Sequence, residues 1–215
     1  MDSIIKILTP ATSFDLVSLD EMKVLLNIPD TDTSQDASLQ SQITMMSDVI
    51  ATECNRCFAK EKVQETVRDL DARRWYLSHW PVKEEDIESV ECPRNGTPLD
   101  AYPVTDPGWE LEEQSGKLEL LSGQSEPIVV IYTGGYVLPD EAPPALKGAC
   151  NIMVRTLRIW EQRQLTSGIR SLSHKEARVM FFDPNILMKQ QGASPFSAAQ
   201  QMIKDLLYHY MRFWV

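Results

Sequence analysis

The sequence predicts an α+β fold: mainly a helical bundle, with a small antiparallel β-sheet inserted near the middle and an extended C-terminal arm plus helix. Three observations predict it. Apolar residues recur at helical spacing before residue 60 and again after residue 143. Short β-rich pieces cut by Pro and Gly fill the stretch between. After residue 168 helical periodicity fades, and a last amphipathic run opens at Ser194-Pro195. The expected organisation is a core over 1–164, with its β region at about 63–133, followed by an arm and terminal helix over 165–215.

Taken in order, Ser18-Leu19-Asp20-Glu21 has the form of a capping box, and Leu19, Met22, Leu25 and Leu26 follow at helical spacing until Pro29 ends a short helix. A polar loop from Asp30 to Asp36 leads to a longer helix, on which Leu39, Ile43, Met46, Ile50, Cys54 and Cys57 form one stripe. Extended pieces come next: Val63 to Leu70, Arg74 to Val82, Ile87 to Cys92, Trp109 to Leu111, Lys117 to Leu121 and Ile128 to Thr133. The last is the most apolar and is expected to be the most buried. Pro143-Pro144 opens a third helix with a stripe of Leu146, Ala149, Cys150, Met153, Val154, Leu157 and Trp160; its polar face carries Lys147, Arg155 and Arg158. The stretch 168–182 reads as an extended arm or hairpin, which gains most by pairing with a neighbouring chain. The final helix carries Phe196, Ala199, Met202, Ile203, Leu206 and Leu207 on one side and ends in an aromatic cluster, Tyr208 to Trp214. Those aromatics either cap the chain's own core or anchor an interface.

Composition narrows the function. The 215 residues, 43% of them hydrophobic, suffice for one substantial core. No run of about 18 apolar residues and no secretory leader is visible, so the expectation is a protein made in the cytoplasm without a membrane span. Four cysteines are too sparse for a disulfide framework and are read as free thiols. A net charge of -10 argues against general nucleic-acid binding. The charge is uneven: residues 1–144 hold 11 Lys/Arg against 27 Asp/Glu, whereas residues 145–178 hold 7 against 2. An acidic body and a basic segment suit head-to-tail contact between copies, or else the basic residues are a solvated helix face.

Candidate chemistry is thin. Cys54-Asn55-Arg56-Cys57 has CxxC spacing, but a structural zinc site needs four ligands and no second pair follows, so both cysteines are read as small hydrophobes on the helix stripe. His79 precedes the acidic run Glu84-Glu85-Asp86, a grouping that is more often solvated surface than a site. No motif joins a nucleophile to a base, so neither catalytic nor metal nor cofactor-binding residues are expected.

Three stretches carry a family resemblance. Leu16-Val17-Ser18-Leu19-Asp20-Glu21-Met22-Lys23-Val24-Leu25-Leu26-Asn27-Ile28, with the acidic loop and the helix from Leu39 to Phe58, forms the first. Val129-Val130-Ile131-Tyr132-Thr133-Gly134-Gly135-Tyr136, leading through Pro139 to Pro143-Pro144-Ala145-Leu146-Lys147-Gly148-Ala149, is the second and most specific. The third is Gly168-Ile169-Arg170-Ser171-Leu172-Ser173, running on to Val179 and Phe181. Together they resemble the head-tail connector proteins of tailed bacteriophages, also called adaptor or neck proteins. They cover about half the chain; the region 63–121 and the last helix match only in architecture.

The resemblance implies a structural, non-enzymatic virion protein at the head-tail interface, forming a ring of about twelve copies under the portal. It implies contact with the portal protein and with the next neck or tail protein, and a channel, expected to be acid-lined, that viral DNA crosses without specific binding. On that reading Tyr208, Tyr210, Met211, Arg212, Phe213 and Trp214 are candidates for portal docking. Ile169, Arg170, Ser171, Ser173, Lys175, Arg178 and Phe181 are candidates for an inter-subunit arm, and Lys147, Arg155 and Arg158 for a basic contact face. The alternatives are a tail-completion or tail-terminator ring subunit, an assembly chaperone, and a metal-dependent hydrolase.

Overall fold

The computed structural model describes residues 2–68, 74–93, 101–103, 108–120, 127–166, 171–174, 177–180 and 195–211. By its contacts the chain divides into two compact units, each built from separated stretches: residues 1–15 with 55–142, and residues 16–54 with 143–215.

The first unit is all β. Its strands are β1 (Asp2–Thr9), β2 (Glu61–Arg68), β3 (Arg74–Tyr76), β4 (Ile87–Pro93), β5 (Ala101–Pro103), β6 (Trp109–Glu112), β7 (Lys117–Leu120) and β8 (Ile128–Gly134). Five form an antiparallel sheet in the order β1-β2-β8-β4-β5, and three form a second sheet, β3-β7-β6. Strand β2 explains how they share a core. Its residues alternate in burial, which turns Glu61, Val63, Glu65 and Val67 to one face and Lys62, Gln64 and Thr66 to the other. On the buried side Val63 and Val67 join Val90, Ile128, Val130 and Tyr132 of the same sheet with Trp75, Leu118 and Leu120 of the smaller one. Strand β8 pairs with β2 on one side and β4 on the other, and Ile128, Val130 and Tyr132 along it are buried, as its apolar run predicts. Strand β1, which the sequence reading did not foresee, pairs with β2 from Asp2 opposite Arg68 to Ile7 opposite Val63. It lies at the sheet's edge with Ile4, Ile5, Ile7 and Leu8 exposed.

The second unit is helical. It contains α1 (Leu19–Leu25), α2 (Asp36–Cys54), α3 (Pro144–Thr166) and α4 (Pro195–Leu207), with a hairpin of β9 (Ser171–His174) and β10 (Ala177–Met180) between the last two helices. The capping box forms as its spacing predicts: Glu21 N donates to Ser18 Oγ at 3.2 Å, and Ser18 N donates to Glu21 Oε2 at 3.2 Å. Helix α1 stops before Pro29, because Asn27 turns left-handed at φ 55°. Leu39, Ile43, Ile50 and Cys54 of α2 and Leu146, Ala149, Cys150 and Val154 of α3 are all fully buried, which confirms both stripes at these positions. Helix α3 packs on α2 and on α4. The hydroxyl of Ser47 accepts from Leu16 N at 3.0 Å, and Lys23, 3% exposed, pairs with Asp36 at 2.6 Å.

The α+β class holds, but the proportions differ from a helical bundle with a small insert. Strand β1 precedes α1 and pairs with β2, so the helices α1 and α2 interrupt a sheet that has already begun. The physical reason is that β1 closes an edge left open by β2, for which the β-branched run Ile4-Ile5 and Ile7 is suited. Among the described residues no helix is long and apolar enough to cross a membrane.

Candidate functional site

The most concentrated chemistry lies inside the β unit, and the Tyr132-Thr133-Gly134-Gly135-Tyr136 segment builds it. At the end of β8, Gly134 lies so close to the His79 carbonyl that a Cβ there would stand 2.2 Å from its oxygen. Gly135, at φ +104°, would place a Cβ 2.4 Å from the Ala59 oxygen, so both positions need glycine. Backbone bonds complete the clamp: Gly135 N donates to Pro81 O at 3.0 Å, Tyr136 N to Phe58 O at 2.8 Å, and Lys60 N to Tyr136 O at 2.8 Å. Two segments far apart in sequence, 57–61 and 78–81, are thereby held against one strand end.

What they bring together is a buried polar cluster. Glu65 Oε2 accepts from Tyr132 Oη at 2.7 Å and from Ser78 N at 3.0 Å, while Oε1 accepts from Ser78 Oγ at 2.8 Å. Glu61 Oε1 accepts from Ala11 N at 3.1 Å; its Oε2 lies 3.1 Å from His79 Nε2 and 3.7 Å from Cys57 Sγ. A carboxylate only accepts, so Nε2 carries the imidazole proton. The other ring nitrogen, Nδ1, is buried without a hydrogen-bond partner among the described residues. Arg56 lies over the Trp80 ring, 3.3 Å from its centroid, and over the Phe58 ring at 4.6 Å, and it donates to the Trp80 carbonyl.

Burial governs these groups. It lowers the pKa of His79 against the opposing pull of Glu61. It pushes the Cys57 thiol up to about 11 and raises Tyr132 well above the usual phenol range, with Glu65 adding to the second effect.

This arrangement corrects two sequence readings. Helix α2 ends at Cys54, and Asn55 turns left-handed at φ 53°, so Cys57 leaves the apolar stripe for the β unit. His79 is partnered by Glu61; Glu84, Glu85 and Asp86 form a separate 3-10 turn in which none is buried. The signal for the cluster was the phase of β2, where Glu61 and Glu65 share a face with Val63 and Val67.

Of the surface candidates, Lys147 donates to Glu21 at 2.8 Å and Arg158 to the Gln35 side chain, while Arg155 is exposed. Two of these three candidates on α3 thus have partners within the helical unit. Tyr208 and Tyr210 form a single 3-10 turn after α4, with Tyr208 61% exposed and its ring edge-on to His209. Met211 N donates to Leu207 O at 3.1 Å, and the Met211 side chain is half-buried. Ser171 and Ser173 lie on β9 and Arg178 on β10, which pair with each other in an antiparallel hairpin. Ile169, Arg170, Lys175, Phe181, Arg212, Phe213 and Trp214 lie outside the described residues.

Residues 16–76 match a family model described as phage gp6-like head-tail connector protein. That span takes in α1, α2, β2 and β3, and so the first of the three resembling stretches. No curated protein sequence matches the chain. Among solved structures, a chain titled as the neck of an empty GTA particle computed with C6 symmetry is 15% identical, with TM-score 0.59 over 99% of this chain and 97% of that one. A chain from the virion of a native gene transfer agent (GTA) particle is 14% identical, with TM-score 0.59 and the same coverage. One from the neck of a native GTA particle computed with C12 symmetry is 14% identical at TM-score 0.54, again covering 99% and 97%. At such identities the likeness establishes a common fold, and it does so from end to end. The resemblance read from the sequence therefore finds support: over residues 16–76 the chain is similar to the phage gp6-like head-tail connector proteins, and its fold is shared with these GTA chains.

Proposed function

We propose that the chain is a structural subunit of the neck of a tailed phage or phage-like particle, where copies close into a ring under the portal, extend the DNA channel and join head to tail. The observation that carries this reading is the connector-family match over residues 16–76. The shared fold supports it, because two of the similar chains come from necks resolved with C6 and C12 symmetry. A ring of about twelve copies needs each copy to meet two neighbours through different surfaces, with a rotation that closes. The acidic stretch 1–144 and the basic stretch 145–178 supply the complementary charge.

In this assignment the chain is not an enzyme. Part of the acidity of 1–144 lines the channel and repels passing phosphate. The turn and tail from Tyr208 to Trp214 dock on the portal, and the hairpin arm from Ile169 to Phe181 pairs with a neighbouring subunit or partner. Arg155 is the member of the basic α3 face most available for contact, since it is exposed while Lys147 and Arg158 have partners. Residues 165–215 then act as the docking part of a connector whose core is 1–164.

Electron microscopy with mass analysis of the chain alone, and then mixed with its portal ring, tests the reading. Rings or portal-bound density of about twelve copies are expected, and deletion of 195–215 should abolish portal binding. A chain that ignores the portal but caps a tail tube would instead be a tail terminator.

A further inference from the structure

Independently of the neck assignment, we propose that Cys57, Glu61 and His79 form a binding site for a divalent transition metal, with zinc the best fit to the donor set. The three residues offer one thiol sulfur, one carboxylate oxygen and one imidazole nitrogen, and these atoms all lie within 4.8 Å of one another. Sulfur, nitrogen and oxygen donors together suit zinc better than a hard cation such as calcium or magnesium.

Spacing is the first argument. Zinc bond lengths imply tetrahedral edges of about 3.3 Å between a nitrogen and an oxygen ligand and about 3.5 Å between a sulfur and an oxygen. The separations found are 3.1 Å from His79 Nε2 to Glu61 Oε2 and 3.7 Å from Cys57 Sγ to the same oxygen. Small side-chain adjustments bring all three atoms around one centre, and on binding the imidazole proton passes from Nε2 to the unpartnered Nδ1, which frees the Nε2 lone pair for the ion. Glu61 is already oriented for this, because Ala11 N holds Oε1 and leaves Oε2 directed at the other two residues. A fourth ligand comes from solvent, which the half-buried Cys57 admits.

Charge is the second. Glu65 is surrounded by hydrogen-bond donors, as a carboxylate requires, and Glu61 is likewise met by donors. Among the described residues of the β-unit interior, two buried carboxylates against the one buried guanidinium of Arg56 leave a net negative charge. A divalent ion that displaces the thiol proton to solvent adds one positive charge and balances it. The ion would pin the segment after α2, the start of β2 and the turn after β3 to one point, a structural role.

The test uses the untagged full-length chain. After dialysis against trace zinc, elemental analysis should find about one zinc per chain, and zinc should raise the melting temperature while a chelator lowers it. Cobalt added to the metal-free chain should produce a thiolate-to-cobalt charge-transfer band. C57S and H79Q should each weaken zinc binding by more than the ~10–100-fold expected from loss of an outer-sphere partner, and C57S should abolish the cobalt band. Should either variant fail to fold, the parent chain's cobalt spectrum and melting shift still decide. Less than about 0.1 equivalent of retained zinc, with no band and no shift, overturns the proposal.

Discussion

The β unit and the helical unit handle polar groups in opposite ways. In the β unit Arg56, Glu61, Glu65, Ser78 and His79 are all less than one-tenth exposed, and they surround a strand end that two glycines allow the chain to approach. In the helical unit, among the described residues, the positions on α2 and α3 buried to the same degree are apolar except Gln42 and Ser47, and the one buried cation, Lys23, reaches a partly exposed Asp36. Removing one partner from a buried polar network leaves the others to bear their desolvation cost, whereas an apolar stripe loses stability in proportion to the volume removed. The β unit should therefore respond sharply to changes of hydrogen-bonding capacity that leave size almost unaltered, and the helical unit to changes of size.

The sharpest way to break this contrast is Glu65→Leu, which preserves bulk but leaves Tyr132 Oη, Ser78 N and Ser78 Oγ without their acceptor. A loss of about 3–5 kcal/mol in denaturant unfolding is expected; a neutral result would mean that the network does not hold the β unit. Leu146→Ala in α3 is the size counterpart. The side chain is fully buried, and about 2–4 kcal/mol should be lost, whereas Leu146→Met should cost less than about 1.5 kcal/mol. Tyr132→Phe removes a single hydroxyl from Glu65 and His79 N and should cost about 1–2 kcal/mol, more than its small volume change predicts.

The smallest effect is expected at the helical surface. The hydrogen bond from Lys147 holds the Glu21 carboxyl below its ordinary 4.5. A depressed carboxylate contributes above its unfolded value and loses that contribution as pH falls through the folded one. Lys147→Met should therefore cost a few tenths of a kcal/mol near neutrality, reduced by solvent since Glu21 is 48% exposed. The variant and its parent should converge below pH 4.5, as thermal melts across that range would show.

The same contrast explains how far the molecule was legible in its sequence. Helices declare themselves locally: Ser18 with Glu21, the spacing of Leu39, Ile43 and Ile50, and Pro144 at the start of α3 all stand in the chain as they stand in the fold. Strands β2, β3, β4, β6, β7 and β8 were visible from alternation and breakers. Strand β1 was missed because an edge strand exposed on both faces shows no alternation, and β5 because three residues make no pattern. The cluster was the least legible feature. His79 meets Glu61 across 18 positions of sequence, a relation set by strand pairing, and Cys57 was hidden in an apolar period that the left-handed Asn55 breaks.

The division of the chain at 15/16, 54/55 and 142/143 bears on how each copy is made. As the polypeptide emerges from the ribosome, β1 must wait for β2 until both α1 and α2 have been synthesised. Helix α2, in turn, waits for α3 until the whole β unit has passed. Neither unit can finish while its other piece is still untranslated, and pairings this distant in sequence form slowly. A truncated product ending anywhere before residue 143 lacks both helices that complete the second unit and leaves the apolar stripe of α2 without the helix that covers it.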